Sequence, residues 1–370
     1  MLNGPQTVTA RLGAEVAAHR MEFDAAQAAA ALRLDALSET LRTRSLSLSE
    51  RLRSAMPWLA GEAAQPPPRG LYLWGGVGRG KTLLMDLFFA SLPGGAERSH
   101  FYHFMRDVHA ELAGIKHHAE PLELVAQRVA DRARLICLDE FFVDDIADAM
   151  ILAGLFEGLF RRGVALVATS NLPPQDLYRD GLQRQRFVPT IALLQAHVDV
   201  LHLDGRIDYR LRQLESAPTY LDSRLAGTPA LLEERFAALV GGVATGPGAL
   251  TIEGRALDAV NSGSGTVWFE FGELCDGPRS QNDYIELARL YHTVFISNIP
   301  AFDETRDDAA RRFIMLIDEF YDRGVKIVVS AAAAPAALYR AERLRVEFER
   351  ASSRLIEMQT QPYLARQHRP

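Results

Sequence analysis

The sequence predicts an α/β protein with a three-layer core and a mostly parallel sheet, preceded by helices and followed by a C-terminal α/β region. Three observations support this fold class. Apolar runs of strand length alternate with longer helix-like segments from residue 70 to residue 203. A glycine-rich segment follows the first apolar run, and polar residues end two later ones. Such alternation favours parallel strands covered by helices on both faces.

Length and charge restrict the class of protein. The chain has 370 residues, more than one hydrophobic core usually holds, and an ordinary globular composition. Its formal net charge of −6 argues against a surface that binds nucleic acid throughout, although a local basic groove would escape this average. We therefore expect two domains and no nucleic-acid partner.

Cysteine content and hydropathy indicate the compartment. Cys137 and Cys275 are too few for a disulfide framework, which favours a reducing environment. Every apolar run is far shorter than the roughly 20 residues needed to cross a bilayer. The N-terminus lacks the basic and apolar segments of a secretion signal. We expect a cytoplasmic protein with no membrane span.

The composition changes twice along the chain. Residues 10–53 are rich in helix formers, so residues 1–64 are predicted to form an N-terminal helical region. Prolines at 66–68 end it, and a core is predicted at 65–215. Glycine-rich turns then separate shorter elements, which predicts a C-terminal α/β domain at 216–370.

The predicted elements alternate in both halves. In the core, strands are predicted at 70–74, 100–104, 135–138, 164–169 and 198–203, and helices at 83–92, 104–116 and 146–161. In the C-terminal domain, strands are predicted at 249–252, 267–271, 293–297 and 326–330, and helices at 281–291, 306–321 and 335–358. Identical residues recur at an offset of 161 (323 − 162), as at 162–164 and 323–325. The second half is either a degenerate copy or a similar unit shaped by the same physics.

A phosphate-binding loop is predicted between the first strand and the helix after it. The spacing of Gly75, four residues and Gly80-Lys81-Thr82 lets backbone amides face a phosphate chain, and the helix N-terminus adds a positive dipole end. Lys81 would meet the β and γ phosphates of ATP, and the Thr82 hydroxyl would hold Mg²⁺. The predicted nucleotide contacts are Gly75, Gly76, Val77, Gly78, Arg79, Gly80, Lys81, Thr82 and Leu83.

Two carboxylates follow the apolar run at 135–138. Asp139 would hold Mg²⁺ through water, and Glu140 would orient or deprotonate the attacking water. Because ligands bind at the carboxyl ends of strands in open α/β sheets, both residues are placed where the loop also lies. The pair predicts hydrolysis rather than nucleotide binding alone.

Polar residues after the next strand complete the predicted site. Asn171 would place a neutral amide beside Asp139, unless it serves only the turn before the prolines at 173 and 174. Arg184 and Arg186 lie further on, where an arginine could reach the γ-phosphate of a neighbouring subunit, unless both are ordinary surface residues. A finger of this kind predicts an ATP-dependent homo-oligomer.

Loop, carboxylate strand, asparagine-ended strand and following arginines, in this order, resemble the AAA+ branch of the P-loop ATPases. The closer resemblance is to the ZapE-like cell-division ATPases of bacteria and their mitochondrial relatives. It rests on stretches between about residues 70 and 364, among them GLYLWGGVGRGKTLLMDLFF, ICLDEFFVDDIADAMIL, VALVATSNLPPQDLYRDGLQRQRFVPTI and SSRLIEMQTQPYL.

This resemblance implies more than the residues do. ZapE-like proteins hydrolyse ATP and associate with the FtsZ division ring, while the mitochondrial relatives act in protein quality control. By similarity, Arg354 would act as a second arginine sensor that contacts the nucleotide.

Three functions remain open at this point. The first is Mg²⁺-dependent ATP hydrolysis coupled to remodelling or regulation of a protein partner, FtsZ or another. The second is a nucleotide-gated adaptor in protein quality control, in which hydrolysis only resets partner binding. The third is a loader ATPase on DNA, against which the net negative charge argues.

Overall fold

The computed structural model describes residues 7–18, 23–45, 68–76, 78–92, 94–115, 119–204, 209–215, 217–240, 246–263 and 265–369. The chain divides into two compact units, Met1–Arg206 and Ile207–Pro370. This division precedes the boundary at 215/216 that the composition predicts. The reason is Leu214, whose buried side chain packs with Phe236 and Leu364 in the core of the second unit.

The first unit is built on a parallel sheet. Its strands are β1 (Gly70–Trp74), β2 (Ala96–His100), β3 (Leu135–Asp139), β4 (Ala165–Ser170) and β5 (Val198–His202). Their order across the described sheet is β2-β3-β4-β1-β5, and every pair is parallel. The carboxyl ends of all five strands therefore lie at one edge, as the sequence predicts.

Helices cover both faces of this sheet. They are α1 (Val8–Ala17), α2 (Ala25–Ser45), α3 (Lys81–Phe89), α4 (Phe101–Gly114), α5 (Pro121–Arg132), α6 (Ile146–Arg161) and α7 (Val188–His197). Strand side chains alternate between the faces. Tyr72, Ile136 and Leu166 pack with α4 to α7, whereas Leu71 and Cys137 pack with α1 to α3. The predicted three layers are present.

The N-terminal helices belong to this core. Ala30 and Leu34 of α2 are fully buried and pack with Leu84 and Phe88 of α3. Asp24 caps α2 by accepting the backbone N–H groups of Ala26 and Gln27. Within the predicted helical region, α1 and α2 thus form part of one layer of the sheet unit, while residues 46–64 lie outside the described residues.

The predicted strand at 100–104 is wrong. Strand β2 ends at His100, and α4 begins at Phe101. Phe101, Phe104, Met105 and Val108 are buried at the spacing of one helix face, so the aromatic residues belong to a helix. The true strand escaped the sequence analysis because it is polar, as an edge strand can be.

The second unit has its own mostly parallel sheet. Its strands are β6 (Tyr220–Asp222), β9 (Asn261–Gly263), β10 (Thr266–Glu270), β11 (Thr293–Ile299) and β12 (Lys326–Ala331), in the order β6-β12-β11-β10-β9. β9 runs antiparallel to β10, and β7 (Gly248–Ile252) pairs with β8 (Arg255–Ala259) as a separate hairpin. Its helices are α8 (Tyr209–Glu215), α9 (Thr228–Val240), α10 (Phe271–Cys275), α11 (Gln281–Leu290), α12 (Asp307–Asp322), α13 (Arg345–Glu357) and α14 (Gln361–Leu364).

One helix predicted in this unit is wrong. Instead of a helix over 335–358, the structure has a 3-10 turn at Pro335–Ala337 and begins α13 at Arg345. Between them the chain pairs with Phe302 through a bridge at Tyr339 and through the N–H of Arg340. Those backbone bonds to a distant segment replace the helical ones.

The 161-residue offset relates elements as well as residues. The first residue of α12 lies 161 positions after that of α6 (307 − 146), and the first residue of β12 lies 161 positions after that of β4 (326 − 165). The strands β2-β3-β4-β1 of the first sheet and β10-β11-β12-β6 of the second also follow the same order relative to the chain. This agreement fits a degenerate copy, and duplication stays a prediction because similar α/β units share these rules.

None of the helices in the described part of the chain is both long and apolar enough to cross a bilayer.

Gly70 offers a test of the strand spacing. A Cβ at Gly70 would lie 1.8 Å from the backbone oxygen of Leu166 on β4. Gly70→Ala should therefore separate β1 from β4 and cost more than about 4 kcal/mol of stability. Gly13, within α1, faces open space, so Gly13→Ala should instead stabilise the fold by about 0.5–1 kcal/mol. Urea titrations measure both effects, and an unchanged stability of Gly70→Ala would contradict the packing.

Candidate active site

The glycine loop begins where β1 leaves the sheet. The N–H of Gly75 donates to the oxygen of Ser170 on β4 (3.2 Å), and Leu203 beyond β5 donates to the oxygen of Trp74 (2.8 Å). A Cβ on Gly75 would lie 2.6 Å from the Leu203 oxygen, and its φ is +154°. The loop therefore enters between two neighbouring strands through a space that admits glycine alone.

Left-handed glycines shape the rest of the loop. Gly78 and Gly80 have φ of 77° and 78°, a conformation that side chains disfavour. Gly80 immediately precedes α3, so the loop delivers its backbone to a helix N-terminus. Val77 lies outside the described residues. Gly76 is placed next to the Arg79 side chain, and a Cβ there would lie 3.6 Å from Arg79 Nε.

Lys81 is turned back over the loop. Its Nζ donates to the oxygens of Gly75 (2.7 Å) and Gly76 (2.7 Å) and to Oδ1 of Asn171 (2.9 Å). The residue is only 9% exposed. Asn171 follows β4, so the structure brings together two predicted residues that lie 90 positions apart.

Thr82 and Leu83 lie in the first turn of α3. Both are half-buried, and Leu83 packs against the core on the side of α1 and α2. Arg79 is half-buried, and its Nη1 atom is buried without a hydrogen-bond partner among the described residues. An unsatisfied guanidinium nitrogen in this loop fits an anionic ligand.

Asp139 is held by an arginine that the sequence analysis missed. Arg98 on β2 places Nε 2.7 Å from Asp139 Oδ2 and Nη1 2.5 Å from Asp86 Oδ1. Burial alone would lower the pKa of Arg98, but the two carboxylates outweigh burial and raise it above its ordinary value. Asp86 lies one helical turn after Thr82, so Arg98 joins the loop helix to the carboxylate strand.

Glu140 occupies a tight turn after β3. Its φ is 52°, and its N–H donates to the Thr169 hydroxyl (3.1 Å). The hydroxyl in turn lies 3.3 Å from Asp139 Oδ1. The Glu140 carboxylate lies 3.4 Å from Nε2 of His100. The sequence analysis did not predict His100 as a residue of this site.

Two predicted oxygen ligands for Mg²⁺ lie on elements that Arg98 joins. Thr82 on α3 offers a hydroxyl and Asp139 at the end of β3 a carboxylate, the hard donors that this ion prefers. Because Arg98 occupies Oδ2 of Asp139, contact through water fits better than direct coordination by both carboxylate oxygens. These residues fit a bound Mg²⁺ that also contacts nucleotide phosphates.

The two candidate finger arginines differ in their surroundings. Arg184 is half-buried, and its guanidinium donates to the oxygens of Leu177 (2.5 Å) and Gln175 (2.6 Å). The Arg186 side chain is exposed and makes no hydrogen bond or ion pair to the described residues, while its backbone N–H donates to the oxygen of Gln183 (2.9 Å). Arg184 thus holds its own loop together, while Arg186 remains available.

Arg354 lies on α13 of the second unit. Its guanidinium is 2.6 Å from Asp318 and 3.5 Å from Asp322, and it stacks over the ring of Tyr321 at 4.7 Å. All three partners lie on α12. The side chain therefore ties two helices together within that unit, and a sensor role stays a prediction.

Comparison with known proteins gives matches over nearly the whole chain. The AFG1-like ATPase family model matches residues 6–367. The cell division protein ZapE of Escherichia coli (strain K12) is 48% identical over 303 residues, which are 82% of this chain and 81% of that protein. Lactation elevated protein 1 homolog B of Danio rerio is 38% identical over 351 residues, with 82% of this chain and 70% of that protein covered.

A solved structure matches less of the chain. The structure of DnaI matches 43% of this chain and 82% of its own, at 18% identity and a TM-score of 0.31. The assignment of this chain to a family rests on the family model and the two relatives, which cover far more of the chain.

Arg98 should be the charge on which this site depends most for stability. Removing it takes away the cation that Asp86 and Asp139 share, so Arg98→Met should cost about 3–5 kcal/mol in urea titrations. Adding Asp86→Asn should restore part of the loss, because one of the two neighbouring carboxylates is then neutral.

A surface arginine serves as the control for this prediction. Arg132 pairs with Glu97 across an exposed contact of 3.0 Å, so Arg132→Met should cost less than about 1 kcal/mol. Equal losses for Arg98→Met and Arg132→Met would contradict the structural role of Arg98.

Proposed function

Because this chain belongs to the AFG1-like ATPase family and is therefore an ATPase, we propose that it couples Mg²⁺-dependent ATP hydrolysis to the remodelling or regulation of a protein partner in cell division. The FtsZ division ring is the first candidate partner, on the resemblance to ZapE. The free, buried thiols of Cys137 and Cys275 are consistent with a cytoplasmic location.

The placement of Lys81 is the observation that supports hydrolysis best. Its ammonium group is almost buried, and Gly75, Gly76 and Asn171 offer it neutral oxygens. These bonds hold the ammonium group over the glycine loop, where it can bind the phosphates of ATP through charge-assisted hydrogen bonds. The same contact sets Asn171 next to the residue that binds the terminal phosphate.

The carboxylates after β3 have separate roles in the proposal. Glu140 orients the attacking water and accepts its proton, and the bond from its N–H to Thr169 fixes where the side chain starts. Asp139 and Thr82 would hold Mg²⁺, which supplies charge neutralisation for the phosphates when bound. Asn171 hydrogen-bonds in the same site without adding charge.

Arg186 supports an assembly with a site completed from a neighbour. Arg184 is already bonded to two carbonyl groups, so we assign the finger to Arg186. An exposed guanidinium without a partner among the described residues can stabilise negative charge on a second subunit's nucleotide. The proposed active form is therefore an ATP-dependent homo-oligomer.

Turnover by the purified protein tests the enzymatic half of the proposal. Glu140→Gln should retain ATP binding but lose about 10²–10⁴-fold in kcat, because its general base is gone. Lys81→Ala should lose both binding and turnover. Glu111→Gln, which alters ion pairs between α4 and α5, is the control and should keep wild-type turnover. A wild-type protein without Mg²⁺-dependent turnover would refute this half.

The partner is tested with the same variants. Glu140→Gln, held in its ATP state, should sediment with FtsZ polymers, and Lys81→Ala should not. Polymers that keep their length and lifetime while the wild type hydrolyses ATP would favour the nucleotide-gated adaptor. Salt-sensitive binding to single-stranded DNA in place of FtsZ would favour the loader.

Mixing two inactive variants tests the finger. Arg186→Ala lacks the finger but keeps Glu140, whereas Glu140→Gln keeps the finger, so mixed assemblies should contain intact sites and regain ATPase activity. Arg186→Ala alone should lose about 10³-fold or more in kcat. Arg179→Ala, which alters another exposed arginine of the same loop, should remain active. A mixture without activity would place the finger elsewhere.

A further inference from the structure

The N-terminal helix α2 reaches the phosphate loop through one side chain. Gln27 is 2% exposed, and its Nε2 donates to the backbone oxygen of Arg79 at 3.0 Å. A Cβ placed on Gly80 would lie 2.7 Å from the same nitrogen. The amide therefore sits directly against the peptide group that joins Arg79 to Gly80.

The position of Gln27 is fixed by its own helix. Asp24 Oδ1 accepts the N–H groups of Ala26 (2.8 Å) and Gln27 (3.0 Å), which caps the first turn of α2. Further along, Ala30 and Leu34 are fully buried in the core that α2 shares with α3. Cap and core together prevent the helix from sliding relative to the loop.

The hydrogen bond from Gln27 to the Arg79 oxygen sets the direction of the backbone N–H of Gly80, which the loop spacing predicts to face the nucleotide. In a trans peptide, the C=O and the following N–H point to opposite sides. When Gln27 holds the oxygen of Arg79 towards α2, the N–H of Gly80 points away from α2. Backbone N–H groups of this loop are the donors that cradle phosphates.

Simple packing does not account for an amide at this place. Oε1 of Gln27 is buried and has no hydrogen-bond partner among the described residues, which costs stability. An apolar side chain of similar size would avoid that cost. The contribution that remains is the single bond from Nε2 to Arg79.

We propose that Gln27 is a positioning residue of the nucleotide site, which makes the α1–α2 pair part of that site. It acts through the Arg79–Gly80 peptide and does not touch the reacting atoms. The inference rests on the proposed function, because it assumes that the loop binds ATP. Its effect falls on binding of ground state and transition state alike.

Gln27→Leu removes the donor and keeps the volume. The dissociation constant of a fluorescent ATP analogue should rise about threefold to tenfold, the value of one lost hydrogen bond. KM for ATP should rise by a similar factor with little change in kcat, because uniform binding is what is lost. ADP should weaken in parallel, since it uses the same loop.

Gln27→Glu gives a pH-dependent readout that a packing role would not produce. The ionised carboxylate of this variant can accept hydrogen bonds but cannot donate one, so it repels the Arg79 oxygen. Gln27→Glu should therefore weaken ATP binding more than Gln27→Leu does. Burial raises the pKa of such a carboxyl group, and its protonated form can donate to Arg79 again. The ratio of variant to wild-type dissociation constants should therefore shrink as the pH falls from about 8 to about 6.

Arg33→Met is the matched control on the same helix. It removes an exposed ion pair with Asp199 and leaves the Asp24 cap, the buried core of α2 and the Gln27 bond in place, so the ATP dissociation constant should be unchanged. If Gln27→Leu binds ATP as tightly as the wild type, or if the Gln27→Glu ratio is independent of pH, the inference is wrong. If the wild type itself binds no ATP, the proposed function fails instead.

Discussion

The carboxyl end of β4 is the constraint that joins the two halves of the site. Ser170 accepts the N–H of Gly75 through its backbone oxygen, and its hydroxyl donates to Phe141 at 2.7 Å. Thr169 accepts the N–H of Phe141 (2.7 Å) and contacts the Glu140 turn through its hydroxyl. Ser170 is thus bonded both to the phosphate loop after β1 and to the acidic turn after β3, and this one residue couples their positions.

Charge in the site is arranged around two cations with different surroundings, the buried Lys81 and the half-buried Arg98. Arg98 is neutralised by Asp86 and Asp139, so it serves the structure and fixes how Asp139 is presented. Lys81 donates to neutral oxygens of the loop and of Asn171, which hold its ammonium group over the loop. At one sheet edge, Arg98 is therefore fixed between two carboxylates, whereas Lys81 is held by the loop whose spacing predicts phosphate binding.

The second unit repeats the strand order without repeating this chemistry. Where β1 is followed by glycines and Lys81, β6 ends in Asp222, whose carboxylate is bonded to Arg224 at 2.6 Å. That hydrogen bond lowers the pKa of Asp222 to about 2. The turn after β6 thus carries an ion pair where the turn after β1 carries the glycine loop and Lys81, so a similar backbone path does not repeat the same site.

The sequence by itself determined the features that are local in the chain. The spacing from Gly75 to Thr82, the acids after β3 and the asparagine after β4 each follow from a strand and the residues next to it, because parallel strands end at one edge. Only the tertiary structure decided what depends on packing between distant elements: the polar edge strand β2, the Arg98 bridge, the different surroundings of Arg184 and Arg186, and the contact of Gln27 with the loop. A single polar side chain leaves no periodic pattern, so its partner cannot be found until the helices and strands are placed.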